Sequence, residues 1–244
     1  MWLDGRDRGK DAPGTSAVYI AKSTDKGATF GRNVRVAGGV CPCCRPAIAF
    51  GPKGEVSVAW RHVFPGSLRD IVLATSTDGG QTFSPPVRVA EDNWRINGCP
   101  HSGPALAFKG DRLFVAWYSD GASAPEGVRI ATTKDGQAFS MPVQASGEVL
   151  DANHPQLDLA LDGRLLLTFQ GRERGDGGAW NRLKPWVVEI GPDGKPGPLS
   201  AVPGTAKSVS YPAIAGGSEG TVFAAWTEPV EKGRQVFLSR GRKQ

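Results

Sequence analysis

One short strand pattern recurs along this chain at nearly constant intervals, and it limits the folds that the chain can adopt. Each copy is an apolar run that ends in an aromatic residue, as in 55–60 (EVSVAW), 112–117 (RLFVAW) and 221–226 (TVFAAW). The aromatic residues that align are Trp2, Trp60, Trp117, Phe169 and Trp226, which lie 58, 57, 52 and 57 residues apart. A period of this length indicates a fold built from repeated supersecondary units.

Up to three further strands accompany each aromatic strand. A strand with proline near its start comes before it, at 44–50 (CRPAIAF), 102–108, 153–159 and 210–216. This placement is favourable because the first residue of a strand can lack its hydrogen-bond donor. A third strand follows at 16–22, 70–75, 128–133, 186–190 and 235–239, and a fourth at 33–37, 86–90 and 141–145. Four short strands per repeat are typical of a β-propeller blade.

The repeat therefore predicts an all-β chain that forms one β-propeller domain over residues 1–244. We place its blades at 1–38 (partial), 39–91, 92–147, 148–204 and 205–244 (partial), about four and a half blades in all. The first piece lacks its innermost strand and the last lacks its outermost strand, so the two ends do not complete each other. A closed ring of six blades is expected to need sequence upstream of Met1.

Charge and hydropathy narrow the classes of partner. The net charge of +5 and the isoelectric point near 9.1 favour anionic ligands through long-range attraction. Basic residues are not interleaved with stacking aromatic residues along a stripe, so nucleic acid is not an expected partner. No apolar stretch is long enough to span a membrane.

An octet occurs twice, as STDKGATF at 23–30 and STDGGQTF at 76–83. Its serine and aspartate can bond the backbone amides of their own turn, and its glycine can adopt positive φ. We expect the final phenylalanine to turn inward. Weaker copies occur at 133–139 (TKDGQAF) and 191–194 (GPDG). The octet is thus predicted to be a folding device.

These octets resemble the Asp box, the bacterial neuraminidase repeat of the sialidase superfamily. The matching residues are Ser23, Asp25, Gly27, Thr29 and Phe30 in one copy and Ser76, Asp78, Gly80, Thr82 and Phe83 in the other. The resemblance implies a sialidase-like propeller with its Asp boxes on the face opposite the active site. It also implies that no cofactor is required there.

Because strands alternate in direction, the first strands start and the second strands end on that opposite face, which we call the rim. The candidate ligand-binding residues on the rim are Arg45, Arg61, Tyr118, Asp120, His154, Arg172 and Arg182. Arginine suits an anionic ligand because its planar guanidinium can meet a carboxylate with two hydrogen bonds. The expected ligand is a glycan or another small anion.

The resemblance also implies catalytic groups, because sialidases use a tyrosine–glutamate pair as nucleophile together with an aspartate and three arginines. Tyr211 opens the innermost strand of the last blade, as that nucleophile does, and Glu228 is the acidic candidate near it. The family's Arg-Ile-Pro motif and its acid/base aspartate do not occur here, and SYPAI around Tyr211 differs from the family context. We therefore expect this chain alone to be inactive, whereas a longer parent could be an exo-sialidase-like glycoside hydrolase. A non-catalytic scaffold that binds another protein through the rim is an alternative.

The four cysteines fall in two equivalent loops, CPCC at 41–44 and GCPH at 98–101. Cys41 and Cys99 hold the same place one blade apart, so we expect the group Cys41, Cys43, Cys44, Cys99 and His101 to cluster. Disulfides would suit a periplasmic or secreted protein. The same residues could bind Zn or Cu, or Cys41 and Cys44 could form a redox pair. The metal-binding and redox interpretations define an alternative function for the chain, that of an extracytoplasmic metal-binding or redox propeller.

Overall fold

The computed structural model describes residues 1–8, 10–12, 14–173 and 182–242. These residues form five antiparallel sheets, which we number as blades 1 to 5. Blade 1 contains β1 (Trp2–Asp4), β2 (Ser16–Ile20) and β3 (Val34–Val40), and blade 2 contains β4 (Ala47–Phe50), β5 (Val56–Arg61), β6 (Ile71–Ser76) and β7 (Val87–Arg88). Blade 3 contains β8 (Ala105–Lys109), β9 (Arg112–Ser119), β10 (Gly127–Thr133) and β11 (Val143–Gln144). Blade 4 contains β12 (Leu150–Leu159), β13 (Leu165–Arg172), β14 (Leu183–Ile190) and β15 (Ser200–Ala201), and blade 5 contains β16 (Ser210–Gly216), β17 (Thr221–Val230) and β18 (Gly233–Arg242).

In every blade each strand pairs with the next strand along the chain, which is the meander that the repeat predicts. The predicted all-β propeller is therefore the observed architecture. Blades 1 and 5 have three strands each in the described residues, and a total of six blades stays a prediction. The helical content of those residues is the 3-10 turn Pro65–Ser67, so a membrane-crossing helix is absent from them.

The hydrophobic core lies between successive blades. Phe114 and Ile130 of blade 3 pack in one buried cluster with Phe169 of blade 4. Trp117 of blade 3 likewise packs with Leu73 of blade 2. Strands in the middle of a blade are covered on both faces, and this explains why β5 and β10 are buried throughout. Burial of each large side chain contributes about 1.5–3 kcal/mol to folding.

Three of the four tryptophans that mark the repeat donate to an acidic side chain, whereas the Trp60 indole donates to His62 Nδ1 at 3.5 Å. The indole N–H of Trp2 donates to Asp4 Oδ2 at 2.7 Å, and that of Trp226 donates to Glu228 Oε1 at 2.8 Å. The indole of Trp117 donates to Asp92 Oδ2 at 2.6 Å. A buried indole N–H without a partner is costly, so these acidic side chains serve the scaffold.

Both octets form the turn that their residue types predict. In the second copy Ser76 Oγ accepts from the Gly80 amide at 2.9 Å, while Asp78 Oδ1 accepts from the Thr82 amide at 3.0 Å. Equivalent bonds join Ser23 to Gly27 and Asp25 to Thr29 in the first copy, and the hydrogen bonds from the threonine lower the pKa of Asp25 to about 2. The second octet follows β6, which runs parallel to β4, so it lies at the end of the blade opposite the start of β4.

The final phenylalanines differ from one another, and the expectation for Phe30 is wrong. Phe83 and Phe139 pack against the cores between their own blade and the blade before it. Phe30 remains 64% exposed. Its octet belongs to blade 1, which among the described residues shares its buried cluster with blade 2, the blade that follows it. The inward position therefore depends on a neighbouring blade rather than on the octet itself.

Replacement of Asp78 by alanine should lower the melting temperature by a few degrees, because the turn loses the acceptor for two amides and two hydroxyls. Ligand binding at the rim should be unchanged. Thermal unfolding and a binding titration on the same variant test both parts. A variant that keeps its melting temperature and loses binding would show that the octet has a functional role.

Candidate ligand-binding site

Three of the predicted rim residues meet in space. The imidazole of His154 packs edge-on against the Tyr211 ring, with the ring centroids 4.8 Å apart. The Arg45 guanidinium lies over the same ring, with its Cζ atom 5.4 Å from the centroid. Arg45 precedes β4, whereas His154 and Tyr211 belong to β12 and β16, so three blades contribute to the cluster. Arg45 and the Tyr211 ring, which is 52% exposed, remain open to solvent.

Backbone irregularities at equivalent places produce this arrangement. His154 and Tyr211 have φ of 55° and 52°, in the left-handed region that residues other than glycine seldom occupy. The ladders shift register there, between Asn153 and Gln156 in β12 and between Ser210 and Ala213 in β16. A β-bulge bends its strand and redirects a side chain, so these two side chains are turned from regular strand positions. Such strain persists only where the surrounding structure enforces it.

Side chains from neighbouring blades hold the two bulges. The His154 amide donates to Ser102 Oγ at 3.1 Å, and the Tyr211 amide donates to Gln170 Oε1 at 2.9 Å. Gln170 was not among the predicted site residues, although it stands at the rim end of an aromatic strand. A polar residue at the end of an otherwise apolar strand is the signal that could have identified it.

The electrostatic character of the cluster comes from Arg45. Burial and the positive charge of Arg45 lower the pKa of His154 to about 4, although the His101 backbone carbonyl opposes the shift. His154 is therefore neutral at pH 7 and can both donate and accept hydrogen bonds. An exposed arginine beside a neutral imidazole and a phenol provides one positive charge with polar groups around it.

A cavity of about 350 Å³ lies along the innermost strands, and Arg45 is the member of the cluster that lines it. Arg45 contributes a charged side chain to the cavity wall and Gln156 an amide side chain. Residues of β4, β8 and β12 form most of the wall. The volume is within the ~300–1,000 Å³ range of small-molecule sites. The rim cluster thus opens into a concave space that can hold part of a ligand.

Arg61 does not belong to the exposed site, which corrects its prediction as a ligand-binding residue. Its side chain is fully buried, with an exposed fraction of 0%. The guanidinium donates to the carbonyl oxygens of Ser102 at 3.1 Å, Tyr118 at 2.7 Å and Arg69 at 3.2 Å. It also lies over the Trp94 ring at 4.8 Å. Arg61 therefore joins blade 2 to the rim loops of blade 3.

Glu228 is also a scaffold residue, which corrects the predicted catalytic pair with Tyr211. The carboxylate is 2% exposed. It accepts from the Trp226 indole at 2.8 Å and from the amides of Ala206 at 3.2 Å and Lys207 at 2.8 Å. Burial opposes ionisation, yet these hydrogen bonds prevail and lower the pKa of Glu228. The carboxylate closes the loop before β16 and is not directed at the phenol.

The remaining predicted ligand-binding residues are engaged elsewhere or lie apart from the cluster. Arg172 pairs with Asp151, with Nε and Oδ2 2.6 Å apart, and Arg182 Nη1 donates to the Ala206 carbonyl at 2.9 Å. The Tyr118 hydroxyl donates to Glu126 at 2.9 Å, and burial with this bond raises the pKa of Tyr118. Asp120 is exposed just after β9. A ligand-binding role for these four residues stays a prediction.

The cysteine loops converge beside the rim. The Sγ atoms of Cys41, Cys43 and Cys99 all lie within 4.8 Å of one another. Cys44 is buried, with its Sγ 3.9 Å from that of Cys43, and all four are present as free thiols. The hydrogen bond from Cys44, helped by nearby Arg69, lowers the pKa of Cys41 to about 5. His101, the histidine of the predicted group, is exposed.

No family model matches the sequence, and no curated protein matches it either. Solved structures do share its fold. A Dyadobacter fermentans protein of unknown function matches with a TM-score of 0.64 at 16% identity, over 91% of this chain and 63% of that chain. The Penicillium chrysogenum α-L-arabinanase complexed with arabinobiose matches with a TM-score of 0.61 at 17% identity, over 89% and 70%. The Hadza microbial sialidase Hz136 matches with a TM-score of 0.56 at 15% identity, over 80% and 43%.

These similarities establish the class of fold: the chain is a β-propeller, a fold that it shares with the arabinanase and the sialidase. It spans less than two thirds of the Dyadobacter protein and less than half of the sialidase. Sequence identities of 15–17% indicate a shared fold only. The ligand therefore has to be inferred from the residues at the rim.

Proposed function

We propose that this propeller binds an acidic glycan at the rim, in the cluster of Arg45, His154 and Tyr211. The observation that carries the proposal is the pair of equivalent bulges that turn His154 and Tyr211 toward each other beside Arg45. Left-handed backbone at a bulky residue costs about 1–3 kcal/mol and is concentrated at functional sites. Two such residues side by side, next to an arginine that lines a cavity, favour a binding site.

The three side chains provide complementary chemistry for a sugar acid. The Arg45 guanidinium can donate two hydrogen bonds to a carboxylate. Tyr211 offers a half-exposed ring as an apolar surface and a hydroxyl as a polar one. Neutral His154 packs edge-on against the Tyr211 ring and fixes the ring that a sugar would contact. The structural neighbours support a glycan as ligand, since they include an arabinanase complexed with arabinobiose and a sialidase.

Sialyllactose and lactose make a matched pair of probes, because they differ by one acidic sugar. We expect calorimetric titration to detect sialyllactose binding and much weaker lactose binding. Arg45→Met should weaken sialyllactose binding ~10–100-fold, the effect of losing hydrogen bonds to a charged group. Arg32→Met is the control, because it removes the same charge from an exposed residue that follows the first octet. Equal binding of the two probes, or equal effects of the two substitutions, would contradict the proposal.

A turnover assay separates binding from hydrolysis. Glu228 does not pair with Tyr211, so the nucleophile of a sialidase-like reaction is not assembled from these two residues. We therefore expect no release of the fluorophore from a fluorogenic sialoside by this chain. Release that Tyr211→Phe abolishes would show that the rim is catalytic after all.

A further inference from the structure

We propose that Cys41, Cys43 and Cys99 form a three-thiolate site for a soft monovalent metal ion, Cu(I). This site is separate from the proposed glycan ligand and would hold a metal even if the rim bound no sugar. Its ligands come from two loops, one before β4 and one before β8, so a bound ion would tie blade 2 to blade 3.

The spacing of the three sulfurs carries the proposal. Cys41 Sγ and Cys43 Sγ are 3.5 Å apart, and all three sulfurs lie within 4.8 Å of one another. Three sulfurs at a metal–sulfur distance of about 2.3 Å in a planar arrangement would be ~4 Å apart. The observed set therefore needs only small side-chain adjustments to surround one ion.

The donor type selects the metal. Thiolates are soft ligands that favour Cu(I) and zinc over harder cations. Structural zinc sites almost always have four ligands. Cys44 falls outside the set of mutually close sulfurs, although its Sγ lies 3.9 Å from that of Cys43. His101, the other donor predicted from the sequence, also falls outside this set. A set of three sulfurs thus fits Cu(I) better than zinc.

The surroundings can stabilise the negative charge of three thiolates around a monovalent ion. Arg69 Nη1 donates to Cys41 Sγ at 3.1 Å, which is a charge-assisted contact on the ligand itself. Cys41 is buried, Cys43 is partly buried and Cys99 is exposed. The site is therefore closed on the core side and accessible through Cys99, which gives an ion a path of entry.

The test is to titrate the reduced 244-residue chain with Cu(I) under anaerobic conditions and to measure its affinity in competition with the chelator bathocuproine disulfonate. We expect one Cu(I) per chain. Cys99→Ala is the decisive variant, because Cys99 is exposed and its loss should leave folding intact. It should weaken Cu(I) binding by more than ~100-fold, beyond the effect of losing an outer-shell group. His101→Ala is the control, because it removes an exposed donor that lies outside the three-sulfur set, and it should bind Cu(I) as the unmodified chain does.

Three outcomes would overturn the proposal. One is Cu(I) binding by Cys99→Ala that equals binding by the unmodified chain. Another is a disulfide among Cys41, Cys43 and Cys99 that survives reduction, which thiol titration of the denatured chain would reveal. The third is tight zinc binding that Cys44→Ala abolishes, which would indicate a four-sulfur zinc site instead.

Discussion

Replacing Asp92 with alanine is expected to lower the free energy of unfolding by about 3–5 kcal/mol, the cost of breaking a buried ion pair from one side. Asp92 and Arg129 pair in the interior of blade 3, with exposed fractions of 2% and 3%. Asp92 also accepts the hydrogen bond of the Trp117 indole at 2.6 Å. Alanine would leave a buried guanidinium and a buried indole N–H without this partner. Urea denaturation followed by fluorescence measures the loss.

Asp111→Ala is the matched control, because Asp111 forms an exposed ion pair with Lys134 at 3.1 Å. Its free energy of unfolding should be nearly unchanged, since exposed pairs contribute little. A double variant, Asp92→Leu with Arg129→Met, should recover part of the loss, because both charges then leave the interior together. Equal effects of Asp92→Ala and Asp111→Ala would mean that the pair does not support blade 3.

Arg61→Met should lower the free energy of unfolding by about 3 kcal/mol or more, because buried acceptors without a donor cost ~1–3 kcal/mol each. The carbonyls of Ser102, Arg69 and Tyr118 would each lose the guanidinium that now bonds them. Methionine keeps most of the side-chain volume, so the loss reports on hydrogen bonding rather than on a cavity. Chemical denaturation again provides the measurement.

Arg95→Met tests whether any arginine gives this result. Arg95 is exposed and donates to the Gly66 carbonyl at 3.1 Å, so its replacement should change stability little. If Arg61→Met is as stable as Arg95→Met and loses sialyllactose binding, then Arg61 is a ligand-binding residue and its assignment to the scaffold is wrong. Loss of stability with Arg61→Met alone supports the scaffold role.

The architecture could be read from the sequence because its determinants are local and repeated. In an aromatic strand such as β9, the continuous apolar run at 113–117 indicates that the strand is buried on both faces. The octet turns could also be predicted, because Ser76 and Asp78 accept hydrogen bonds from amides only a few residues away. Interactions between residues that are close along the chain can be predicted directly from the order of residues in the sequence.

The candidate site could be predicted only in part, because its geometry depends on contacts between blades. The repeat register brought Arg45, His154 and Tyr211 to equivalent strand starts, and the structure brings these side chains together. The bulges that aim them depend on Ser102 and Gln170, which lie 52 and 41 residues away from the amides they accept from. No local pattern encodes such a distant partner.

Burial separated residues that look alike in the sequence. Arg45 and Arg61 are both rim arginines by position, yet Arg61 is enclosed by carbonyls from two blades and Arg45 stays exposed. Glu228 is two residues from the tryptophan that it serves, but its burial comes from the loop at 206–207. The sequence by itself determined the strands, their grouping into blades and the octet turns, because neighbouring residues supply those interactions. Only the tertiary structure decided which polar side chains face solvent, because that depends on what the adjacent blade covers.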